Sequence, residues 1–238
     1  MSFLNPSAQG PKLGVGITSL LRLRDRNPSA NEPDAALAVR AAEEAGADAI
    51  ILSMSATHSL QERRDIDVLM SAMTEAHLTV PLTPAMIDFA GSIRPYSVTF
   101  SAVDISLQLV QQAVHQLQPL SIQVVVAIDP STDQLRALGD AGVTAVEFTT
   151  RQFSQAPAGE DAEALNVLRT AVQAANRAGL GVHLSHGIGY RHITALAALG
   201  TIVQMNVDHA ITARAIVVGW QTAIREMKAL LIATRFPS

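Results

Sequence analysis

The chain has no cysteine, which excludes disulfides, thiolate metal sites and a cysteine nucleophile together. Aromatic residues make up only 4% of its 238 residues, so little is available to stack on unpaired bases. The 17 Lys and Arg are outnumbered by 21 Asp and Glu and form no basic stripe. Both facts argue against a nucleic-acid partner. The longest apolar runs, such as residues 122–128, fall far short of the roughly 20 residues that cross a bilayer. The opening MSFLNPSAQGPK lacks the charged-then-apolar order of a signal peptide. The expectation is a cytoplasmic protein with no membrane partner.

Charge is also scarce, at 16% of residues against 48% hydrophobic, which places the chain well inside the globular regime. A mean hydropathy of +0.24 without long apolar runs implies either a large core or the buried subunit contacts of a homo-oligomer, and composition does not separate the two. Short β-rich apolar segments alternate with longer segments of helical period, the pattern of βαβ units on a parallel sheet. Strands are expected over 13–18, 49–53, 80–83, 97–100, 122–128, 145–149, 181–185 and 202–207. Helices are expected over 34–45, 62–76, 84–92, 104–117, 132–141, 161–178, 190–199 and 210–233. Eight such units in this length predict an α/β protein, a (β/α)8 TIM barrel. Residues 13–238 are expected to form one domain, preceded by a flexible segment over 1–12.

Three helices end in a near-repeated phrase, EEAGADAIIL, GDAGVTAVEF and NRAGLGVHLS. The shared Gly46, Gly142 and Gly179 suit the left-handed position that stops a helix before a strand. The repeat is therefore architectural.

Barrel chemistry sits on the loops after strand C-termini. Strand one is followed by Thr18, Ser19 and the basic Arg22, Arg24 and Arg26; strand two by Ser53, Ser55, Thr57 and His58. The second half is richer: Glu147 and Thr149 at strand six, His183, Ser185, His186 and Gly187 at strand seven, and Asn206, Asp208 and His209 at strand eight. His186 is the leading general acid or base, with a loop-capping role as the alternative. Glu147 and Thr149 share a strand face, so Glu147 points inward as a catalytic base or as a structural partner of an Arg or His. The turn SHGIG precedes a helix whose first amides suit an anion. Asp129 and Asp208 are expected to cap the helices that follow them. His/Asp/Glu spacing at these strand ends fits no metal motif; no metal and no organic cofactor is expected.

Seven segments in order resemble the pyridoxine 5′-phosphate synthase family: LGVGITSLLRLRDR, AAEEAGADAIIL, RPYSVTF, VVVAIDPSTDQL, AGVTAVEFTTRQF, VHLSHGIGYRHI and MNVDHAITARAIVVGWQTAIREMKAL. The resemblance implies the barrel fold, an octameric assembly, and condensation of an aminoacetone phosphate derivative with 1-deoxyxylulose 5-phosphate. His186 matches the family's catalytic histidine in a GHG-type motif, and Gly187 the phosphate-contacting glycine after it. His209 matches the histidine of the IGHAI motif, and Arg26 an arginine that meets the amino-ketone substrate.

Departures from the family are substantial. The NIDH motif of strand one is here Gly16-Ile17-Thr18-Ser19, and the HLRED motif of strand two is Ser53-Met54-Ser55-Ala56-Thr57. The NLEMA segment with its catalytic glutamate is Leu82-Thr83-Pro84-Ala85-Met86, and the long loop after strand four is missing. Asp208 replaces a phosphate-binding glycine, putting a carboxylate where a dianion would sit. The expected site is His186 and Glu147 for catalysis, with Arg26, Ser53, Ser55, Thr149, Gly187, Asp208 and His209 for substrate. Three functions remain open: an altered condensing or ring-closing enzyme on a different small carbonyl or amine substrate, a non-catalytic metabolite-binding or scaffold protein, and an authentic synthase with relocated groups.

Overall fold

The computed structural model describes residues 10–25, 32–52, 60–101, 106–130, 133–157 and 161–234. Arg26, Ser53, Ser55, Thr57 and His58, together with residues 1–9 of the expected N-terminal segment, lie outside the described residues. Eight strands close one parallel barrel in sequence order. They are β1 (Lys12–Gly16), β2 (Ala49–Ile51), β3 (His77–Leu82), β4 (Ser97–Ser101), β5 (Gln123–Ile128), β6 (Ala145–Thr149), β7 (Gly181–Ser185) and β8 (Gln204–Val207). β8 returns to β1 with Leu13 opposite Met205 and Gly14 opposite Asn206. The eight-unit TIM barrel read from the alternation is the observed fold.

Period two along each strand sorts the side chains into two layers. Val146, Phe148, Val182, Leu184 and Met205 are fully buried in the hydrophobic cluster under the helices. Their alternates Glu147, His183, Ser185, Gln204 and Asn206 are buried polar groups, so the barrel interior around β6 to β8 is polar. Gly14 and Gly16 on β1 make room for it: a Cβ on Gly14 would overlap Asn206 Oδ1, and one on Gly16 would overlap the Asp208 side chain.

The outer layer consists of α1 (Thr18–Asp25), α2 (Ala35–Glu44), α3 (Leu60–Ala72), α4 (Ile87–Ile93), α5 (Leu107–Leu117) and α6 (Leu135–Asp140), followed by α7 (Arg151–Ser154), α8 (Asp161–Arg177), α9 (Ile193–Ala197), α10 (His209–Val218) and α11 (Trp220–Ala233). Gly46, Gly142 and Gly179 have φ of 99°, 85° and 75°, the left-handed stops that the repeated phrase implies.

Four local readings are corrected. β1 ends at Gly16, and Thr18 already opens α1, which buries Leu20, Leu21 and Arg24. The stretch after β6, expected to be a loop, contains the short α7. The final helix is two helices, because Gly219 at φ 86° and ψ 155° leaves the helical region. Trp220 then anchors α11 by donating its indole N–H to the Ala38 carbonyl at 2.9 Å. Finally, Arg24, grouped with the polar residues at the end of strand one, is drawn away from the mouth: its guanidinium meets both Asp65 oxygens at 2.8 Å, joining α1 to α3, and it holds its proton more tightly for that bond.

Candidate active site

Glu147, near the end of β6, is buried and held at both oxygens. Ser185 Oγ donates to Oε1 at 2.7 Å and Asn206 Nδ2 to Oε2 at 2.8 Å. Gln204 Nε2 in turn donates to Asn206 Oδ1 at 2.8 Å, which fixes the amide's orientation. Burial pushes the Glu147 carboxyl above the usual range, against the lowering effects of Ser185, the nearby His186 charge and Asn206. The sequence left a base and a structural partner open for Glu147. Its partners prove to be Ser and Asn, not the Arg or His expected of a structural pair.

His186 sits just past β7, exposed at the mouth, with its Nδ1 2.8 Å from Ser185 Oγ. Its φ of 60° is uncommon for a residue with a Cβ. Thr150 stabilises this turn, donating its hydroxyl to the His186 carbonyl at 2.6 Å and its N–H to the Ser185 carbonyl at 2.8 Å. Gly187 follows at φ 86°, and a Cβ there would overlap Ser154 of α7. Only glycine lets the β7 loop lie on α7.

Two cavities meet at this trio. One of about 560 Å³ occupies the barrel mouth, with Gly16, Thr79, Glu147, His186, Asp208 and His209 among its walls. The other, of about 990 Å³, opens over β5, β6 and α8, with Asp129, Thr149, Arg151 and Glu163 among its walls. Glu147, Ser185 and His186 line both. The structure therefore brings together Glu147, Thr149, His186, Gly187, Asp208 and His209 of the expected site, while Arg26, Ser53 and Ser55 fall outside the described residues.

Both capping expectations are corrected. Asp208 holds the cap position of α10, but its ψ of −83° is not the extended backbone of a capping residue, and its side chain makes no cap bond. The amides of Ile211 and Thr212 bind the Asp208 main-chain carbonyl at 3.1 Å instead. Asp208 Oδ1 is thus buried with no hydrogen-bond partner at the wall of the mouth cavity. Asp129 is not the cap of α6, which begins only at Leu135 with Gln134 at the cap position.

The turn SHGIG offers an anion less than its sequence suggests. The Gly189 N–H donates to His192 Nδ1 at 3.0 Å, and a single 3-10 turn leads into an α9 of five residues. One of the expected amides is taken, and the helix is too short to add much dipole. His192 packs edge-on against Phe153.

His183 lies one pair below Ser185 in the barrel, opposite Glu147 in the ladder. It is buried with Nδ1 unpartnered, and burial, helped by the Lys12 charge, pushes it down to about 4. It stays neutral at ordinary pH. Among the described residues no group of three or more His, Asp or Glu is placed to hold a metal ion, and no helix is long and apolar enough to cross a membrane.

Sequence reasoning named Ser185 and Asn206 as polar strand ends without giving them a role and did not name Gln204, although each alternates with an apolar neighbour. That alternation was the available signal: polar residues at the inward period of β7 and β8 face the same axis as Glu147.

Fold and site together define a TIM barrel with a buried carboxyl group and an exposed histidine joined through a serine at the C-terminal ends of β6 and β7. Residues 13–233 match the family model described as "Pyridoxal phosphate biosynthesis protein PdxJ", and the chain belongs to that family. It is 32% identical over 231 residues to a pyridoxine 5′-phosphate synthase of Geotalea daltonii, covering 91% of this chain and 96% of the relative. A second pyridoxine 5′-phosphate synthase, from Syntrophotalea carbinolica, is also 32% identical, over 234 residues, 92% of this chain and 98% of its own. Among solved structures, a protein described as KGPDC from Streptococcus mutans superposes with a TM-score of 0.68 at 15% identity, covering 94% of this chain and 98% of its own. A second, described as native KDPGal, gives 0.62 at 14% identity over 93% of each chain. These two share the fold.

Proposed function

We propose that this family member is a condensing or ring-closing enzyme whose small carbonyl and amine substrates differ from the two phosphates of the synthase reaction. His186 gives and takes protons at the mouth, and Glu147 is the buried base behind it. Thr149, Gly187, Asp208 and His209 contact substrate, as do Arg26, Ser53 and Ser55, which lie outside the described residues. Such a condensation requires a proton for the departing hydroxyl and removal of one from the attacking amine or the adjacent carbon, and one imidazole, with a nitrogen to give and a nitrogen to take, serves both.

The observation that carries this reading is Asp208 Oδ1, buried and without a partner at the mouth. A buried acceptor left unpaired costs about 1–3 kcal/mol, and a carboxylate recovers most from an ammonium or hydroxyl donor. It repels a phosphate dianion in the same place. Gly16 leaves the space that this side chain occupies.

The test is turnover of purified protein with the two synthase substrates and with their dephosphorylated counterparts, beside a synthase from a relative. Turnover of only the dephosphorylated pair, and a gain of phosphate-substrate binding in Asp208→Gly, is the expected result. Pyridoxine 5′-phosphate formed at a rate comparable with the control, and lost in His186→Ala, would instead establish the authentic synthase. That second reading is supported by the 32% identity across nearly the whole chain.

We also propose a homo-oligomer, supported by Ile216 and Val217, adjacent on α10 and 81% and 79% exposed. Light scattering on Ile216→Asp with Val217→Asp should give a smaller species than the parent; an unchanged mass would reject this face.

A further inference from the structure

Ser185 has one hydroxyl proton and two neighbours that compete for it, Glu147 Oε1 at 2.7 Å and His186 Nδ1 at 2.8 Å. Among the described residues these are the bonds that link the buried carboxyl to the ring. The hydroxyl can serve both at once only by donating to one and accepting from the other. When Glu147 is ionised it accepts, so Ser185 must accept from the ring, and the imidazole carries its proton on Nδ1. When Glu147 is protonated it donates to Ser185, Ser185 donates to Nδ1, and the ring proton moves to Nε2.

We infer that Ser185 is a positioning residue that makes the protonation of Glu147 set the tautomer of His186. Ionised Glu147 leaves Nε2 bare, ready to take a proton; protonated Glu147 leaves Nε2 loaded, ready to give one. The relay balances. A substrate proton passes to Nε2, the Nδ1 proton passes to Ser185 Oγ, and the Ser185 proton passes to Glu147 Oε1. One proton enters, one carboxylate is neutralised, and the ring ends neutral in its other tautomer. The return runs the same bonds backwards and delivers the proton to a leaving group. Burial, which raises the Glu147 carboxyl, suits the receiving end, because it makes the protonated state easier to reach.

The second Glu147 oxygen supports this directionality. Asn206 Nδ2 donates to Oε2, and Gln204 fixes the flip of that amide, so Oε1 is the oxygen left to exchange a proton. Other charges facing the trio are Asp129, Arg151 and Glu163 across the larger cavity, Asp208 and His209 across the mouth, and His183 beside Glu147, with Lys12 acting on His183. None hydrogen-bonds to Glu147 or to the His186 ring among the described residues.

The inference uses His186 as the acid/base group of the proposed function, but its test needs no turnover. Full-length protein with ¹⁵N-labelled histidine rings is read by long-range ¹H–¹⁵N NMR, His186 being assigned by its loss in His186→Gln, and the Glu147 carboxyl is followed by ¹³C. Above the Glu147 titration the parent should show the Nδ1–H tautomer. Glu147→Gln should show Nε2–H at the same pH, because Asn206 holds the amide oxygen and the amide N–H faces Ser185. Ser185→Ala should lose the Nδ1–H preference, and Ser185→Thr should keep it. An Nε2–H ring in the parent, or an Nδ1–H ring that persists in Ser185→Ala, overturns the inference even if the enzyme proves active. A correct tautomer pattern with no turnover leaves it standing and rejects the proposed function alone.

Discussion

The two halves of the barrel mouth use charge in opposite ways. Where β1 to β4 end, the cavity wall is Gly16, Leu52, Pro81, Thr99 and Ser101, with no ionisable side chain among the described residues there. The buried charges of this half, Arg24 and Asp65, line neither cavity and tie one helix to another. In the second half Glu147, His183, His186 and Asp208 are gathered within the barrel or at its mouth, with Ser185 and Asn206 bonded among them. Charge fastens the first half. In the second the two buried titratable groups, Glu147 and His183, have no ion-pair partner among the described residues, and burial shifts both.

Removing His186 or Glu147 is the harshest way to break this contrast. His186→Ala and Glu147→Gln should each lower kcat by about 10²–10⁴-fold on whatever pair of substrates turns over, His186→Ala with little effect on thermal stability. Losses of that size from first-half changes, such as Thr79→Val, with none from His186 or Glu147 would reverse the assignment.

Next in size is the fastening pair. Arg24→Ala leaves Asp65 buried beside a lost partner and should cost about 3–5 kcal/mol in urea unfolding. Replacing both with apolar residues of similar volume should recover most of it. A loss below about 1 kcal/mol would mean that the pair behaves as a surface bridge.

Acid should act on His183. Its folded value is pushed down to about 4 from an ordinary 6.5, so its contribution is complete above 6.5 and is lost as pH falls toward 4. The gap corresponds to about 3 kcal/mol, and His183→Gln should flatten unfolding free energy across that window. Glu147 runs the other way. Its folded value is raised, so its contribution is present at low pH and lost as pH rises through that value; Glu147→Gln should therefore be more stable than the parent at neutral pH.

The smallest effect tests the space between halves. Gly16→Ala sets a methyl against Asp208 and should cost about 1–3 kcal/mol by overpacking. Adding Asp208→Gly should restore stability, whereas a cost that persists would place the strain elsewhere.

Much of the fold was legible because it depends on periodicity. β6 and β7 fall at the expected residues, and the three glycine stops have the expected conformation, since both are local consequences of alternation and a left-handed φ. α1 was missed because TSLLRLRD follows β1 without a break and reads as basic, while the carboxylate that both Arg24 terminal nitrogens meet, Asp65, lies 41 residues on. The Gly219 break was missed because glycine inside an apolar helical pattern does not announce whether the chain will turn there. For the site, His186 and Glu147 were legible from residue type at strand ends. The caps assigned to Asp129 and Asp208 were not found, because a cap depends on a ψ angle that the residue type alone does not set.

The sequence by itself determined the barrel, its family, and the face on which its polar groups lie, because strand and helix periods act over a few residues. Only the tertiary structure decided which of those groups touch. Ser185 lies between Glu147 and His186, and Asn206 reaches Glu147 from 59 residues away. Asp208 projects over Gly16 instead of capping its helix. Those contacts follow from the stagger of strands in a closed barrel, which brings distant residues to one level of the axis through a register that no local pattern encodes.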